Sequence, residues 1–215
     1  MVSNNLRTPL LILASPRTGS TALGQYFKQQ QFPTATYFIE PDWTHSVMQK
    51  FRNNLQSGNY DFIVKILYYC IDLYSDDLKN FLLSPITSKI RLRRRDTASQ
   101  MASLYVAMYR NWTYHYLDKS VSKSKIPGKE YVVLPENTDV YLKEIIPIKD
   151  DQNMDWIVNE ILMANKKIDE STLNFDLDLY YEDLTYLDET KIKKTPFPSN
   201  YADIKQAFEN KLKRI

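Results

Sequence analysis

The chain has 215 residues, 43% hydrophobic and 25% charged, a composition that builds a globular core and excludes a disordered chain. Its formal charge of +2, from 28 Lys and Arg against 26 Asp and Glu, gives no reason to expect nucleic acid as a partner. The single cysteine, Cys70, excludes a disulfide framework within the chain and fits a reducing, cytoplasmic setting. Cys70 lies in an apolar run and reads as a small buried hydrophobe. No signal peptide and no membrane span are expected, because the first apolar run is only five residues long. One domain is the default at this length, enough to bury roughly 70% of the unfolded surface.

Residues 10–14, Leu-Leu-Ile-Leu-Ala, predict a strand covered on both faces, as in a parallel sheet. The polar turn Ser15-Pro16-Arg17-Thr18-Gly19 follows, and a helix is expected from Ser20 to about Gln31, broken at Phe32-Pro33-Thr34. A strand that ends in a Ser/Thr/Gly turn and opens into a helix is an anion cradle. Backbone N–H groups point outward there, and the helix dipole is positive at that end. Arg17 adds a fixed charge, Thr18, Ser20 and Thr21 add hydroxyls, and Gly19 permits positive φ or a close approach. The bland reading of the same residues is an ordinary loop with a good N-cap. The turn is not a Walker A box, which needs Gly where Ala14 stands and Lys where Ser20 stands. A kinase or ATPase is therefore disfavoured.

Residues 35–42 read as extended or irregular, and residues 44–57 as a helix ended by Gly58-Asn59. Residues 60–69 form a second strand, apolar except for Lys65. A lysine inside a buried strand is costly unless it meets anions; the alternative is an edge strand with Lys65 in solvent. A helix over 75–83 stops at Pro85. Residues 89–95 predict a third strand, with Ile90 and Leu92 alternating and Arg93, Arg94 and Arg95 closing it. Asp96 then caps a helix expected to run to about Asp118, with Met101, Leu104, Met108 and Trp112 as its apolar stripe. Most arginine runs are solvated, but this one closes a strand and opens a helix, where open α/β sheets bind ligands. Ser103 lies on the same helix face as Ser99.

Beyond a polar loop at 120–129, a short strand is expected at 131–134 and an amphipathic helix at 154–169. Residues 175–181 alternate strictly and predict a half-buried strand. A basic, Pro-bearing loop at 191–199 precedes a terminal helix over 200–214, with Tyr201, Ile204, Phe208 and Leu212 along one side.

Three of these segments together resemble the sulfotransferases that use 3′-phosphoadenosine 5′-phosphosulfate (PAPS). Residues 15–21 resemble the family's 5′-phosphosulfate loop in its Arg form. Arg94-Arg95-Asp96-x-x-x-Gln100-x-x-Ser103 resembles its 3′-phosphate motif, most closely as found in bacterial trehalose-type enzymes. Tyr181-Glu182-Asp183-Leu184 resembles the segment that follows the last core strand. The resemblance covers roughly residues 8–110 and 175–210. It implies an α/β, P-loop-like three-layer fold with a central, mainly parallel sheet, and metal-independent sulfuryl transfer from PAPS to an acceptor hydroxyl, leaving PAP.

By the same resemblance, Arg17, Thr18, Gly19, Ser20 and Thr21 hold the 5′-phosphosulfate, Arg95 and Ser103 hold the 3′-phosphate, and Lys65 faces the sulfuryl group. Many relatives place a histidine base two residues beyond that lysine; here the position is Leu67. Glu40 is the expected general base, with His45 and then Asp42 as alternatives, and a surface carboxylate capping the next helix as the bland reading of Glu40. Lys193 and Lys194 are expected to close over the nucleotide. No metal site is expected, since His45 and His115 lack ligands at useful spacing. The acceptor, a carbohydrate or another small alcohol, would be set by residues 35–59 and 112–172. Two further readings stay open. One is a P-loop-type nucleotide kinase, which needs a Walker Lys and a Mg²⁺-binding Asp; the other is a catalytically weak nucleotide- or glycan-binding relative.

Overall fold

A computed structural model of the chain describes residues 8–39, 49, 53–54, 56–73, 76–110, 114–116, 131–133, 142–185 and 197–215. They group into two compact units. A sheet unit comprises Met1–Arg93 and Ala164–Asp188, and a helical unit comprises Arg94–Met163 and Glu189–Ile215.

The sheet unit is a three-layer α/β structure. Its strands are β1 (Leu10–Ala14), β2 (Thr36–Ile39), β3 (Phe62–Leu67), β4 (Ser88–Arg93) and β7 (Leu177–Tyr180). They are ordered β2-β3-β1-β4-β7, and every pairing is parallel. The apolar run at 10–14 is therefore the middle strand, and Leu11, Ile12, Leu13 and Ala14 have no exposed surface. Burial on both faces is why this strand is continuously apolar instead of alternating. Each of its large side chains contributes about 1.5–3 kcal/mol on transfer from water.

The two faces separate by residue parity. Leu11 and Leu13 pack with Phe62, Val64 and Ile66, under Leu82 of α2 (Asp76–Leu83) and Ile168. Leu10, Ile12 and Ala14 pack with Ile63, Ile90 and Leu92, under Leu23 of α1 (Ser20–Tyr26). The chain leaves β1 through α1 toward β2 and leaves β3 through α2 toward β4. These two crossovers run in opposite directions along the sheet, so right-handed connections put their helices on opposite faces. The reversal occurs at β1, and in open α/β sheets the ligand crevice lies beyond the strand ends at such a point.

α1 continues into a π-helical segment, Phe27–Gln31, before the break at Phe32. It is also pinned from outside. Tyr37 of β2 lies so close to Gly24 that a Cβ there would collide with the phenol, and the Tyr37 hydroxyl donates to the Thr21 carbonyl at 3.4 Å.

The helical unit is built on α3 (Thr97–Tyr109), the first part of α4 (Gln152–Asp169) and α5 (Tyr201–Leu212). Met101, Leu104, Met154, Ile157, Ile161, Ile204 and Phe208 form its core, with Tyr201 and Leu212 packed against it. The expected stripe of the terminal helix is thus the face it buries. Tyr105 meets Phe208 edge-on at 6.0 Å and donates to the Pro147 carbonyl at 2.7 Å. Asn200 locks onto the backbone of Ile146, accepting its N–H at 3.0 Å and donating to its carbonyl at 2.8 Å. Strands β5 (Tyr114–Tyr116) and β6 (Tyr131–Val133) pair in parallel.

Several boundaries differ from expectation, two of them next to candidate site residues or at a helix end. β4 ends at Arg93, so Arg94 and Arg95 lie beyond it. α3 ends at Tyr109, not near Asp118, with Arg110 as its C-cap. The Arg110 side chain is held by Glu144 through Nε at 2.9 Å and a terminal nitrogen at 2.6 Å. No helix among the described residues is long and apolar enough to cross a membrane.

Candidate functional site

The turn after β1 combines strain, buried hydroxyls and an open helix start. Arg17 adopts φ 59°, the only non-glycine positive φ among the described residues, and Gly19 follows at φ 78°. A left-handed arginine costs about 1–2 kcal/mol and persists only where its surroundings enforce it. Part of the enforcement is local: the buried Thr18 hydroxyl donates to the Ser15 carbonyl at 2.9 Å. Ser15, Thr18 and Ser20 are all buried, while Arg17, Gly19 and Thr21 are half-buried. Gly19 is the N-cap of α1, so that helix begins with no side-chain cap and no acidic residue in its first turn. A helix start without a carboxylate of its own leaves its positive end available to an external anion.

Gly19 is needed for a second reason. A Cβ built there would lie 2.6 Å from both Cδ2 and Cε2 of Tyr181. Tyr181 opens the 3-10 turn Tyr181–Asp183 that follows β7. Sequence reasoning finds the Tyr181 segment as a motif but misses this contact. The available signal was a lone glycine in a turn and an aromatic at the end of the last strand.

Lys65 is 5% exposed. Its strand β3 lies between β2 and β1, in register with Ile39 and Ile12, which overturns the edge-strand alternative. Strand parity puts Lys65 on the face of Ile63, Ile12 and Leu23, the same face that α1 covers.

The arginine run divides by the same alternation. Ile90 and Leu92 enter the core, while Arg91 and Arg93 take the other face. Arg93 binds Asp169 at 2.9 Å and Asp178 at 2.7 Å, with its guanidinium 4.5 Å from the Tyr180 ring centroid. Arg91 also binds Asp178 and lies 4.8 Å from the Phe175 ring. Burial pushes the Asp178 carboxyl up, but Arg91 and Arg93 together outweigh it and hold it below its ordinary value. These two arginines thus join β4 to β7, and Arg93 is not a solvated charge. Asp178, the acidic residue within β7, is the sequence signal for this pairing.

Arg95 is exposed, and Ser103 is 6% exposed within α3 beside the fully buried Gln100. Between them stands the expected cap. Asp96 accepts the Ser99 N–H at 2.9 Å and the Ser99 hydroxyl at 2.8 Å, and it receives Lys205 at 2.8 Å. Burial raises the Asp96 pKa, but Lys205 and the two Ser99 bonds lower it further, leaving it below the ordinary value.

The sheet unit therefore carries residues 15–21, with Tyr181 against Gly19, and Lys65 in β3, whereas the helical unit carries Arg95 and Ser103. Glu40, Asp42, His45, Lys193 and Lys194 lie outside the described residues. Among the described residues, no three His, Cys, Asp or Glu side chains gather as a metal-ligand set. No family model matches this sequence, and no curated protein matches it.

Proposed function

We propose that the chain is a PAPS-dependent sulfotransferase acting on an acceptor hydroxyl of a carbohydrate or another small alcohol. One observation carries the reading. The turn at the reversal point of a parallel sheet holds a left-handed arginine and, two residues on, a left-handed glycine, and it opens into a helix without a carboxylate cap. Strain of this kind is retained where it serves a site. The chemistry of the turn suits a phosphosulfate: a fixed guanidinium, hydroxyls, backbone N–H groups and a positive helix end.

In the proposed reaction the acceptor oxygen attacks sulfur in line. The new O–S bond forms as the bond from sulfur to the 5′-phosphate oxygen breaks, and the acceptor proton passes to Glu40. Charge builds on the sulfuryl oxygens and the departing phosphate. Arg17 and the N–H groups of residues 19–21 stabilise the phosphate, and Lys65 stabilises the sulfuryl oxygens. Arg95 and Ser103 anchor the 3′-phosphate, and Lys193 and Lys194 close over the nucleotide. Lys65 supports the reading by its place: it is a buried cation in β3, on the sheet face that α1 covers and in register with β1, the strand that leads into the turn.

The test is thermal unfolding with PAP or with ATP and Mg²⁺. A ligand at about 100 times its Kd stabilises the native state by ~2.7 kcal/mol. A rise in Tm with PAP and none with ATP is expected; no rise with PAP refutes the proposal. Transfer of labelled sulfate from PAPS, compared between the native chain and Glu40→Gln, then separates an enzyme from a protein that only binds the nucleotide.

A further inference from the structure

The geometry points to Tyr181 as the positioning residue of the anion loop: its ring, laid against Gly19, holds the turn in which Arg17 and Gly19 are left-handed. This rests on the reading of residues 15–21 as the loop that receives the 5′-end of PAPS.

The backbone at Arg17 and Gly19 lies in a region that L-residues avoid, at φ 59° and 78°. Such a conformation needs external constraints to persist. Two are visible. One is the Thr18 hydroxyl on the Ser15 carbonyl. The other is the Tyr181 ring, so close to Gly19 that a Cβ would lie 2.6 Å from two ring carbons. The contact works in both directions: the ring blocks any side chain at residue 19, and the missing side chain admits the ring.

Tyr181 is itself well anchored. β7 runs in register with β4, Leu179 opposite Leu92 and Tyr180 opposite Arg93. The strand then closes into a 3-10 turn in which the Leu184 N–H donates to the Tyr181 carbonyl at 3.1 Å. Leu184 is buried in the same cluster as Ala14 and Leu23, and Tyr181 packs against that cluster. The last strand of the sheet therefore supports the turn after the first strand.

The experiment crosses residue 181 with residue 19 and reads PAP affinity by calorimetry. Tyr181→Phe keeps the ring and is expected to bind PAP within about twofold of the native chain. Tyr181→Leu keeps apolar bulk in the cluster, so that the protein folds, but removes the flat ring; PAP affinity is expected to fall at least about tenfold. Gly19→Ala is expected to weaken PAP binding at least about tenfold with Tyr181 present, and to cost at least about threefold less in the Tyr181→Leu background, where the ring no longer meets the new Cβ. A residue that only stabilises the fold would give additive effects. Native-like PAP affinity in Tyr181→Leu, or a Gly19→Ala penalty indifferent to residue 181, overturns the positioning role and leaves the PAPS reading standing. Absence of PAP binding by the native chain overturns both.

Discussion

Two strand-to-helix junctions in this chain start from similar sequence logic and end differently. After β1, the turn at 15–19 opens α1 with no side-chain cap and no acidic first turn. After β4, residues 94–96 open α3 with Asp96 bonded to both the N–H and the hydroxyl of Ser99, and with Lys205 on the same carboxylate. The first junction stores backbone strain at Arg17, and the second is satisfied internally. The difference shows that a strand–turn–helix pattern is not by itself an anion site. Where the chain supplies its own carboxylate, the positive helix end is already neutralised, and the proposed 3′-phosphate role there falls to side chains, Arg95 and Ser103, and not to the backbone. Where it supplies none, the backbone itself is available.

The sharpest way to break the contrast is at Arg17. Under the proposed chemistry, Arg17→Ala removes a donor aimed at charge that develops on the leaving phosphate, and kcat is expected to fall by about 10²–10³. Stability is expected to move the other way in Arg17→Gly, because glycine adopts φ 59° without strain. Urea unfolding should show this variant at least as stable as the native chain, while sulfate transfer is lost. A variant both less stable and fully active would mean that the strain at residue 17 has no functional purpose.

The capped junction should respond through affinity instead. A hydrogen bond to a charged group is worth about 1.5–3 kcal/mol, so Arg95→Ala is expected to weaken PAP binding by about 10- to 100-fold with kcat at saturating PAPS little changed. Ser103→Ala should act in the same sense with a smaller effect. Calorimetric titration with PAP checks both. Unchanged affinity in Arg95→Ala would remove the 3′-phosphate role from this junction and leave the β1 turn as the only proposed anion site.

The sequence makes the first junction more legible than the second, and the reason is physical. Residues 10–14 are apolar throughout because both faces of the middle strand are covered, so the strand, its end and the following helix can be placed by composition. Lys65 stands out for the same reason, as a charge in an otherwise apolar run. The fate of the arginines is not local. Arg91 and Arg93 are matched by Asp169 and Asp178, more than 70 residues later in the chain, and no periodicity in residues 88–95 announces those partners. The surroundings of the end of α3 are likewise not local: its C-cap, Arg110, bonds Glu144, 34 residues away. The Gly19–Tyr181 contact is hidden in the same way, because a glycine shows that space is needed without showing what fills it.

The smallest effect lies in the charge of the cap. Asparagine caps helices about as well as aspartate, so Asp96→Asn keeps the cap geometry and removes only the charge that faces Lys205. For a partly exposed pair the expected loss near pH 7 is about 0.2–1 kcal/mol, whereas Asp96→Ala, which also loses the cap, should cost about 0.5–2 kcal/mol. The pH dependence follows from the direction of the shifts. Burial raises the Asp96 pKa but Lys205 and Ser99 outweigh it, so the folded value lies below the unfolded one. Its contribution is therefore present above the unfolded value and disappears as the pH falls through the folded value. Lys205 is shifted upward, first by its bond to Asp96, so its contribution is complete below its unfolded value and disappears as the pH rises through the folded one. Between these limits the gap between the native chain and Asp96→Asn should be flat, and it should narrow below about pH 4. Urea midpoints for the two proteins at pH 7, 5 and 3 test this. A gap of constant size down to pH 3 would mean that the Asp96 charge contributes nothing, and that the second junction is closed by cap geometry alone.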